Sequence, residues 1–81
     1  MKHQDILLAL KAWFAGKGVP AVDENDNYFE AGHIDSFAVI TLVEFMETSF
    51  AIRFDADDFQ DPAFYSLNGL AELIVRKRAN G

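Results

Sequence analysis

The chain has 81 residues, a formal net charge of −6 and no cysteine, and 51% of its residues are hydrophobic. This length allows one small domain over residues 1–81, and the hydrophobic content excludes a disordered acidic chain. The lack of cysteine excludes a disulfide scaffold, a cysteine-ligated zinc site and a thiol nucleophile.

The acidic residues are concentrated in the middle of the chain. Residues 21–61 contain eleven acidic residues and a single basic one, Arg53. Such a block repels nucleic acid and anionic lipid and attracts partners with basic patches, although a solvated acidic surface also serves solubility alone. No hydrophobic run approaches the roughly 18 residues of a membrane span, and no signal-peptide pattern is found at the N-terminus. We therefore expect a cytoplasmic protein that binds no nucleic acid and does not span a membrane.

The first helix is predicted over residues 4–15, where the hydrophobic residues follow helical spacing on one side. These residues are Ile6, Leu7, Leu10, Trp13 and Phe14. Gly16 and Gly18 end the helix, and Pro20 prevents it from resuming. Residues 16–35 then form a long loop, which we expect Tyr28 and Phe29 to anchor.

A second amphipathic helix is predicted from Ser36 to about Phe50. Its main hydrophobic stripe consists of Val39, Leu42, Val43, Met46 and Phe50. Phe37, Ile40 and Phe45 fall outside this stripe, so the helix is hydrophobic on more than one face. That pattern is typical of a central helix or of a helix that binds a partner.

Two further helical segments complete the predicted fold. Residues 55–60 form one short turn, which Asp61 and Pro62 close. The last helix begins after Ser66, a favourable N-cap, and Gly69 should weaken it by roughly 1 kcal/mol relative to Ala. The residues that it turns inward are Leu67, Leu70, Leu73, Ile74 and Val75. The sequence therefore predicts an all-α protein, a small four-helix bundle of three main helices and one short helix.

Two candidate functional sites, a calcium-binding loop and a catalytic triad, do not match the arrangement of residues that each requires. Asp23, Asn25 and Asn27 begin like a calcium loop, but the loop's sixth position is not Gly and its twelfth is not Glu. His33, Asp35 and Ser36 contain triad residue types, yet triad members normally come from distant segments. We expect neither a metal site nor a catalytic site.

Ser36 has two interpretations at this stage. It follows a loop and opens the most hydrophobic helix, so it is a natural N-cap. The free N–H groups and the dipole of a helix N-terminus also stabilise phosphate, so a phosphodiester on this hydroxyl would be favourable.

The segment Tyr28-Phe29-Glu30-Ala31-Gly32-His33-Ile34-Asp35-Ser36-Phe37 resembles the signature of the acyl and peptidyl carrier proteins, in which Phe-Glu, a Gly, then Asp-Ser and a large hydrophobic residue recur. Leu42 to Phe54 is similar to the family's second helix and following loop, and Ser66 to Ala71 to its closing helix. The resemblance implies that a phosphopantetheinyl transferase attaches 4′-phosphopantetheine from coenzyme A to Ser36, beside Asp35. The thiol of this arm then holds an acyl or aminoacyl group as a thioester.

By the same resemblance, the protein is a monomeric carrier and not an enzyme. Its partners are the transferase, an acyl- or aminoacyl-activating ligase and downstream acyl-using enzymes. The docking surface is the second helix, where we expect four exposed positions, namely Phe37, Ile40, Glu44 and Glu47. The alternative is a non-covalent helical adaptor that uses the Phe37 and Ile40 face without a prosthetic group.

The chain departs from the fatty-acid-synthesis carriers at four positions of this helix. Ala38 and Thr41 stand where those carriers have acidic residues, and Glu44 stands where they have a methionine-like residue. Phe45 replaces a small residue and, if it turns inward, leaves less space for a long acyl chain. These differences favour a specialised stand-alone carrier, similar to those loaded by adenylating ligases.

Overall fold

The computed structural model describes residues 2–80, with the backbone alone at residue 80, and this part of the chain contains helices and no strand. The elements are α1 (His3–Gly16), α2 (Ser36–Phe50), α3 (Ala56–Gln60), a 3₁₀-helix (Pro62–Tyr65) and α4 (Leu67–Asn80). The all-α prediction is confirmed, with three main helices and one short one. The 3₁₀-helix is an additional element. It packs on both α3 and α4, and α4 also packs on α1.

α1 buries one side and ends in a left-handed turn. Ile6, Leu7, Leu10 and Phe14 are buried, whereas Trp13 is only partly covered. Gly18 has φ 86°, and the N–H of Val19 reaches back to the carbonyl of Phe14 at 2.9 Å. Gly tolerates this backbone conformation without the steric penalty that a Cβ brings, so the predicted helix end is confirmed.

α2 is less buried than its hydrophobic sequence suggests. Only Leu42, Met46 and Phe50 are buried, while Val39, Val43 and Phe45 are partly covered. The ring centroid of Phe45 lies 6.5 Å from that of Trp13 on α1 and 6.1 Å from that of Phe50. Phe45 therefore fills the junction between α1 and α2.

Short acidic caps define the segment between α2 and α4. Asp55 and Asp58 form a reciprocal capping box at the start of α3. Asp61 accepts the N–H of Ala63 at 2.9 Å, and Pro62 occupies the first position of the 3₁₀-helix, where its missing N–H costs nothing. These contacts fix the backbone at the start of both short helices.

α4 is the most buried helix and packs closely on the 3₁₀-helix. Ser66 is its N-cap, as predicted, because the Ser66 hydroxyl accepts the N–H of Gly69 at 3.1 Å. A methyl group at Gly69 would overlap the carbonyl oxygen of Ala63 and lie 2.6 Å from its carbonyl carbon. Gly69 is therefore more than a local weakness of the helix, since its missing side chain permits this close approach.

Aromatic rings fill the interior between these elements. Phe64 is fully buried, and its ring meets those of Phe54, Phe59 and Tyr65 at centroid distances of 5.5, 5.1 and 5.2 Å, in edge-to-face geometry. The hydroxyl of buried Tyr28 donates to the carbonyl of Phe64 at 2.5 Å, which joins the long loop to this cluster. Burial raises the pKa of the Tyr28 phenol well above its usual range, with the nearby Tyr65 adding to the effect. The phenol is therefore a permanent hydrogen-bond donor at neutral pH.

Two contacts tie the C-terminal helix to the rest of the fold. Lys77 lies 2.6 Å from the Asp58 carboxylate of α3, and Arg78 donates to the carbonyl of Phe50 at the end of α2, at 2.6 Å. A cation at a helix C-terminus stabilises the exposed carbonyls there. Between residues 2 and 80, no helix has both the length and the hydropathy that a bilayer span requires.

Candidate functional site

The N-terminus of α2 presents Ser36 to solvent. Asp35, and not Ser36, is the N-cap, because its Oδ1 accepts the N–H of Ala38 at 2.9 Å and its backbone is extended. The interpretation of Ser36 as an ordinary N-cap is therefore wrong. Asp and Ser are about equally good caps, and the one that precedes the helical backbone takes the role. Ser36 is then the first helical residue, and its exposed hydroxyl forms no hydrogen bond within the described part of the chain.

The loop before Ser36 is pinned at several points, so the position of the serine is defined. The side chain of Asn27 accepts the N–H groups of Phe29 and Glu30 at 3.0 and 2.9 Å, which forms a tight turn. The N–H of Tyr28 bonds to the carbonyl of Tyr65 on the 3₁₀-helix. Tyr28 is thus an anchor, as predicted. Phe29 only stacks on the ring of Tyr65 and remains 39% exposed.

A second anchor lies just before the helix. Ile34 is buried in the core, and the N–H of His33 donates to the carbonyl of Tyr28 at 3.1 Å. Gly32 has φ 78°, which allows the chain to turn between the two anchors. The residues on either side of the turn are therefore held, and Ser36 follows the second anchor by two positions.

α2 has an exposed surface beside Ser36 that consists of hydrophobic and polar side chains. Phe37 is 82% exposed and Ile40 57% exposed, and Thr41 and Glu44 are exposed as well. We call these four residues the outer face of α2. Thr41 satisfies its hydroxyl locally by donating to the carbonyl of Ala38 at 2.8 Å, so it adds little polarity to the face.

Glu47 does not share the exposure expected for it. Its side chain is partly buried, and its Oε2 accepts the N–H of Phe54 at 3.0 Å. The chain leaves α2 through Ala51, whose φ of 55° is left-handed, and the residues that follow bring the N–H of Phe54 to Glu47. The expectation that Glu47 is fully exposed is therefore wrong, since its carboxylate holds the loop that follows α2.

The structure does not join the triad residue types near Ser36 to one another within the described chain. No hydrogen bond joins the side chains of His33, Asp35 and Ser36, and among residues 2–80 no three His, Asp or Glu side chains are placed to hold a metal ion. The segment of Asp23, Asn25 and Asn27 is likewise used structurally. The side chains of Asp23 and Asn27 accept backbone N–H groups of their own loop, and the side-chain oxygen of Asn25 accepts from the Asn68 amide of α4 at 2.6 Å.

Phosphate is a group that the N-terminus of α2 can accept. The first N–H groups of a helix have no intrahelical partner, and those of Ser36 and Phe37 find no other acceptor within residues 2–80. The Asp35 carboxylate is occupied by Ala38. An exposed hydroxyl with free N–H groups beside it suits a phosphodiester.

Three grooves of the described surface are lined by residues other than Ser36. One is lined by both charged and hydrophobic residues at the C-terminal end of α2 and α4, namely Glu47, Ala51, Ile52, Arg53, Asp58, Leu73, Arg76 and Lys77. A second lies between the long loop and the 3₁₀-helix and includes Phe29, Glu30 and Tyr65. A third is lined by His3, Glu72, Val75 and Arg76.

Comparison with known proteins adds no relative. No family model, no curated protein and no solved structure matches the chain. The described residues form a small helical bundle.

Proposed function

We propose that this chain is an acyl carrier protein that holds acyl or aminoacyl intermediates as thioesters on a 4′-phosphopantetheine arm at Ser36. The observation that carries the proposal is the state of that serine. Its hydroxyl is exposed and free of hydrogen bonds at the first position of α2, because Asp35 has taken the capping role. It also lies within the Asp-Ser motif that resembles the carrier signature.

In the proposed attachment reaction, the carrier provides the nucleophilic oxygen and the transferase provides the catalytic groups. The Ser36 oxygen forms a bond to the phosphorus next to the pantetheine of coenzyme A, the pyrophosphate bond breaks, and adenosine 3′,5′-bisphosphate leaves. The hydroxyl proton passes to a base of the transferase. The chain supplies a defined position for the oxygen and the free N–H groups of Ser36 and Phe37 for the resulting phosphodiester. When bound, the arm supplies the thiol that holds the cargo.

The outer face of α2 is the proposed docking surface for partner enzymes. Phe37 and Ile40 expose large hydrophobic side chains next to the attachment point, and Glu44 adds a negative charge one turn further on. A protein with net charge −6 approaches basic enzyme surfaces quickly without needing tight binding. Fast encounter and fast release are what a shuttle between several enzymes needs.

The pattern of this face favours a specialised carrier. α2 carries Ala38 and Thr41 where fatty-acid-synthesis carriers have acidic residues, so Glu44 is the only charge on the outer face. Partners that read an acidic helix would find fewer contacts here. Polyketide, nonribosomal-peptide or related specialised synthesis, with loading by an adenylating ligase, agrees better with this composition.

A non-covalent helical adaptor is the second candidate function. It is favoured by the same exposed pair, Phe37 and Ile40, because large hydrophobic side chains clustered on a surface often mark a protein interface. The two candidates differ at Ser36. Ser36→Ala should abolish carrier function and leave adaptor binding nearly unchanged, whereas Phe37→Ala should weaken both.

Intact mass spectrometry tests the proposal. We expect incubation with coenzyme A and a broad-specificity phosphopantetheinyl transferase to add one phosphopantetheine per chain. Ser36→Ala should remove the gain completely. Ser49→Ala is the matched control, since Ser49 is also exposed on α2 and should leave the gain intact. A folded parent protein that gains no mass, or a gain that survives in Ser36→Ala, would contradict the proposed site.

A further inference from the structure

The interior next to α3 is closed by a layer of interlocking rings. Phe64 is fully buried at the centre, and Phe54, Phe59 and Tyr65 surround it with interplanar angles of 87°, 72° and 71°. Edge-to-face pairs at these centroid distances are the preferred packing of aromatic side chains. The layer continues through Tyr28, whose hydroxyl is bonded to the carbonyl of Phe64 and whose ring lies 5.4 Å from that of Phe14.

This packing determines where a cargo can reside. A long aliphatic chain on a carrier gains by leaving water, and it gains most where the protein interior has room for it. Here the interior beside α3 is filled by these rings, and the hydrogen bond from the Tyr28 hydroxyl to the Phe64 carbonyl fixes the layer on one side. Admitting a chain would separate several edge-to-face pairs at once, and a close-packed core resists such a change.

We propose that the cargo of this protein is a short or polar acyl or aminoacyl group carried outside the fold, because the aromatic layer occupies the space that a long aliphatic chain would need. This inference rests on the proposed carrier function and specifies its substrate class. The cargo then remains in water between partners. A short or polar group tolerates that exposure, whereas a long aliphatic chain does not.

Phe59 is the ring through which the layer can be opened. It is 38% exposed, and it contacts Phe64 at 5.1 Å and Phe54 at 6.4 Å. Phe59→Ala removes the outermost ring and leaves buried Phe64 in place, so it should open a path to the interior while the fold persists. Leu8→Ala is the matched control, because Leu8 is a 56% exposed hydrophobic residue on α1, away from the layer.

The test attaches chains of increasing length at position 36 without any enzyme. The protein has no cysteine, so Ser36→Cys introduces the only thiol. Its thiolate displaces iodide from N-alkyl iodoacetamides and forms one thioether, with the proton passing to the buffer. The adducts run from ethyl to dodecyl, and mass spectrometry confirms one alkyl group per chain. The readouts are the melting temperature and the amide NMR shifts of the core residues around Phe64.

We expect the melting temperature to be independent of chain length and the NMR shifts to change only near position 36. Burial of even four methylene groups would raise the melting temperature by roughly 10 °C or more, so the two results are well separated. A melting temperature that climbs with chain length in the Ser36→Cys protein, or in the same protein with Leu8→Ala, would overturn the inference.

The opened variant provides the second half of the test. For the double variant Ser36→Cys, Phe59→Ala, we expect the melting temperature to rise with chain length, from the ethyl adduct to the dodecyl adduct. If it stays independent of length, the aromatic layer is not the barrier and the inference fails. The alkylation series tests whether the interior accepts an alkyl chain, and it needs no transferase. The proposed carrier function fails only if the transferase adds nothing to Ser36 in the parent protein. The two failures are therefore distinguishable.

Discussion

Replacing Gly69 by Ala tests how closely α4 approaches the 3₁₀-helix. The new methyl group would overlap the carbonyl oxygen of Ala63 and lie 2.6 Å from its carbonyl carbon and 2.7 Å from its Cα. All three are backbone atoms, so no side-chain rotation relieves the overlap, and the two helices must move apart. Overpacking of this severity costs about 3 kcal/mol, while Ala regains about 1 kcal/mol of helix propensity. We therefore expect a net loss of about 2 kcal/mol in the free energy of unfolding.

Urea unfolding followed by far-UV circular dichroism measures this loss. A domain of this size has a stability on the order of 4 to 12 kcal/mol, so the variant should remain folded in the absence of urea. Gly16→Ala is the matched control, because no atom lies within 4 Å of a methyl group at Gly16, and it should be as stable as the parent or slightly more stable. If Gly69→Ala is as stable as the parent protein, the close approach of the two helices is wrong.

Four further substitutions test separate parts of the fold by the same urea assay. Tyr28→Phe leaves the buried carbonyl of Phe64 without its donor and should cost about 1–3 kcal/mol, and no loss would contradict the hydrogen bond. Phe50→Ala should cost about 3–5 kcal/mol, whereas Phe37→Ala on the outer face should stay within about 0.5 kcal/mol of the parent, and a reversed order would refute the assigned faces. Asp58→Asn should lower stability at neutral pH and lose that effect in acid, and a difference that is constant with pH would contradict the ion pair with α4.

The sign of the Asp58 effect follows from its pKa. Partial burial alone would raise the pKa of this carboxyl, but the hydrogen bonds and charge of Lys77 and the N–H of Asp55 outweigh it and lower the pKa below its usual value. The ionised form therefore stabilises the fold above the ordinary Asp pKa. This contribution is lost as the pH falls through the lowered folded-state pKa.

Much of the fold follows from local patterns that are readable in the sequence. Helical spacing placed α1, α2 and α4, because each buries one stripe of hydrophobic residues. Asp61 and Pro62 marked the end of α3, since Pro cannot continue a helix. The same pair also begins the 3₁₀-helix, which the sequence pattern did not predict. The signal was an N-cap Asp followed directly by Pro, a common helix start.

The remaining features depend on contacts between distant segments. The partner of Glu47 is the backbone of Phe54, which reaches it only after the left-handed turn at Ala51. The role of Gly69 is set by the carbonyl of Ala63 on another element. Neither contact is visible in the local sequence, so the family resemblance led to the expectation of an exposed Glu47, and the helix propensity of Gly predicted a merely weak Gly69.

The candidate site also has features that the sequence predicts and features that only the structure shows. The Asp-Ser motif and the helix start were visible in the sequence, but the assignment of the cap to Asp35 required the backbone conformation. That assignment matters for function, because it leaves the Ser36 hydroxyl without an intramolecular partner within the described chain. The exposure of Phe37 and Ile40 likewise became measurable only once α2 was packed against its neighbours.

A thiol titration tests the central claim most directly. The chain contains no cysteine, so the purified protein without a prosthetic group has no thiol to react. After incubation with coenzyme A and a phosphopantetheinyl transferase, and after removal of free coenzyme A, we expect one reactive thiol per chain in the parent protein and none in Ser36→Ala. A titre that stays at zero in the folded parent protein would contradict the carrier function.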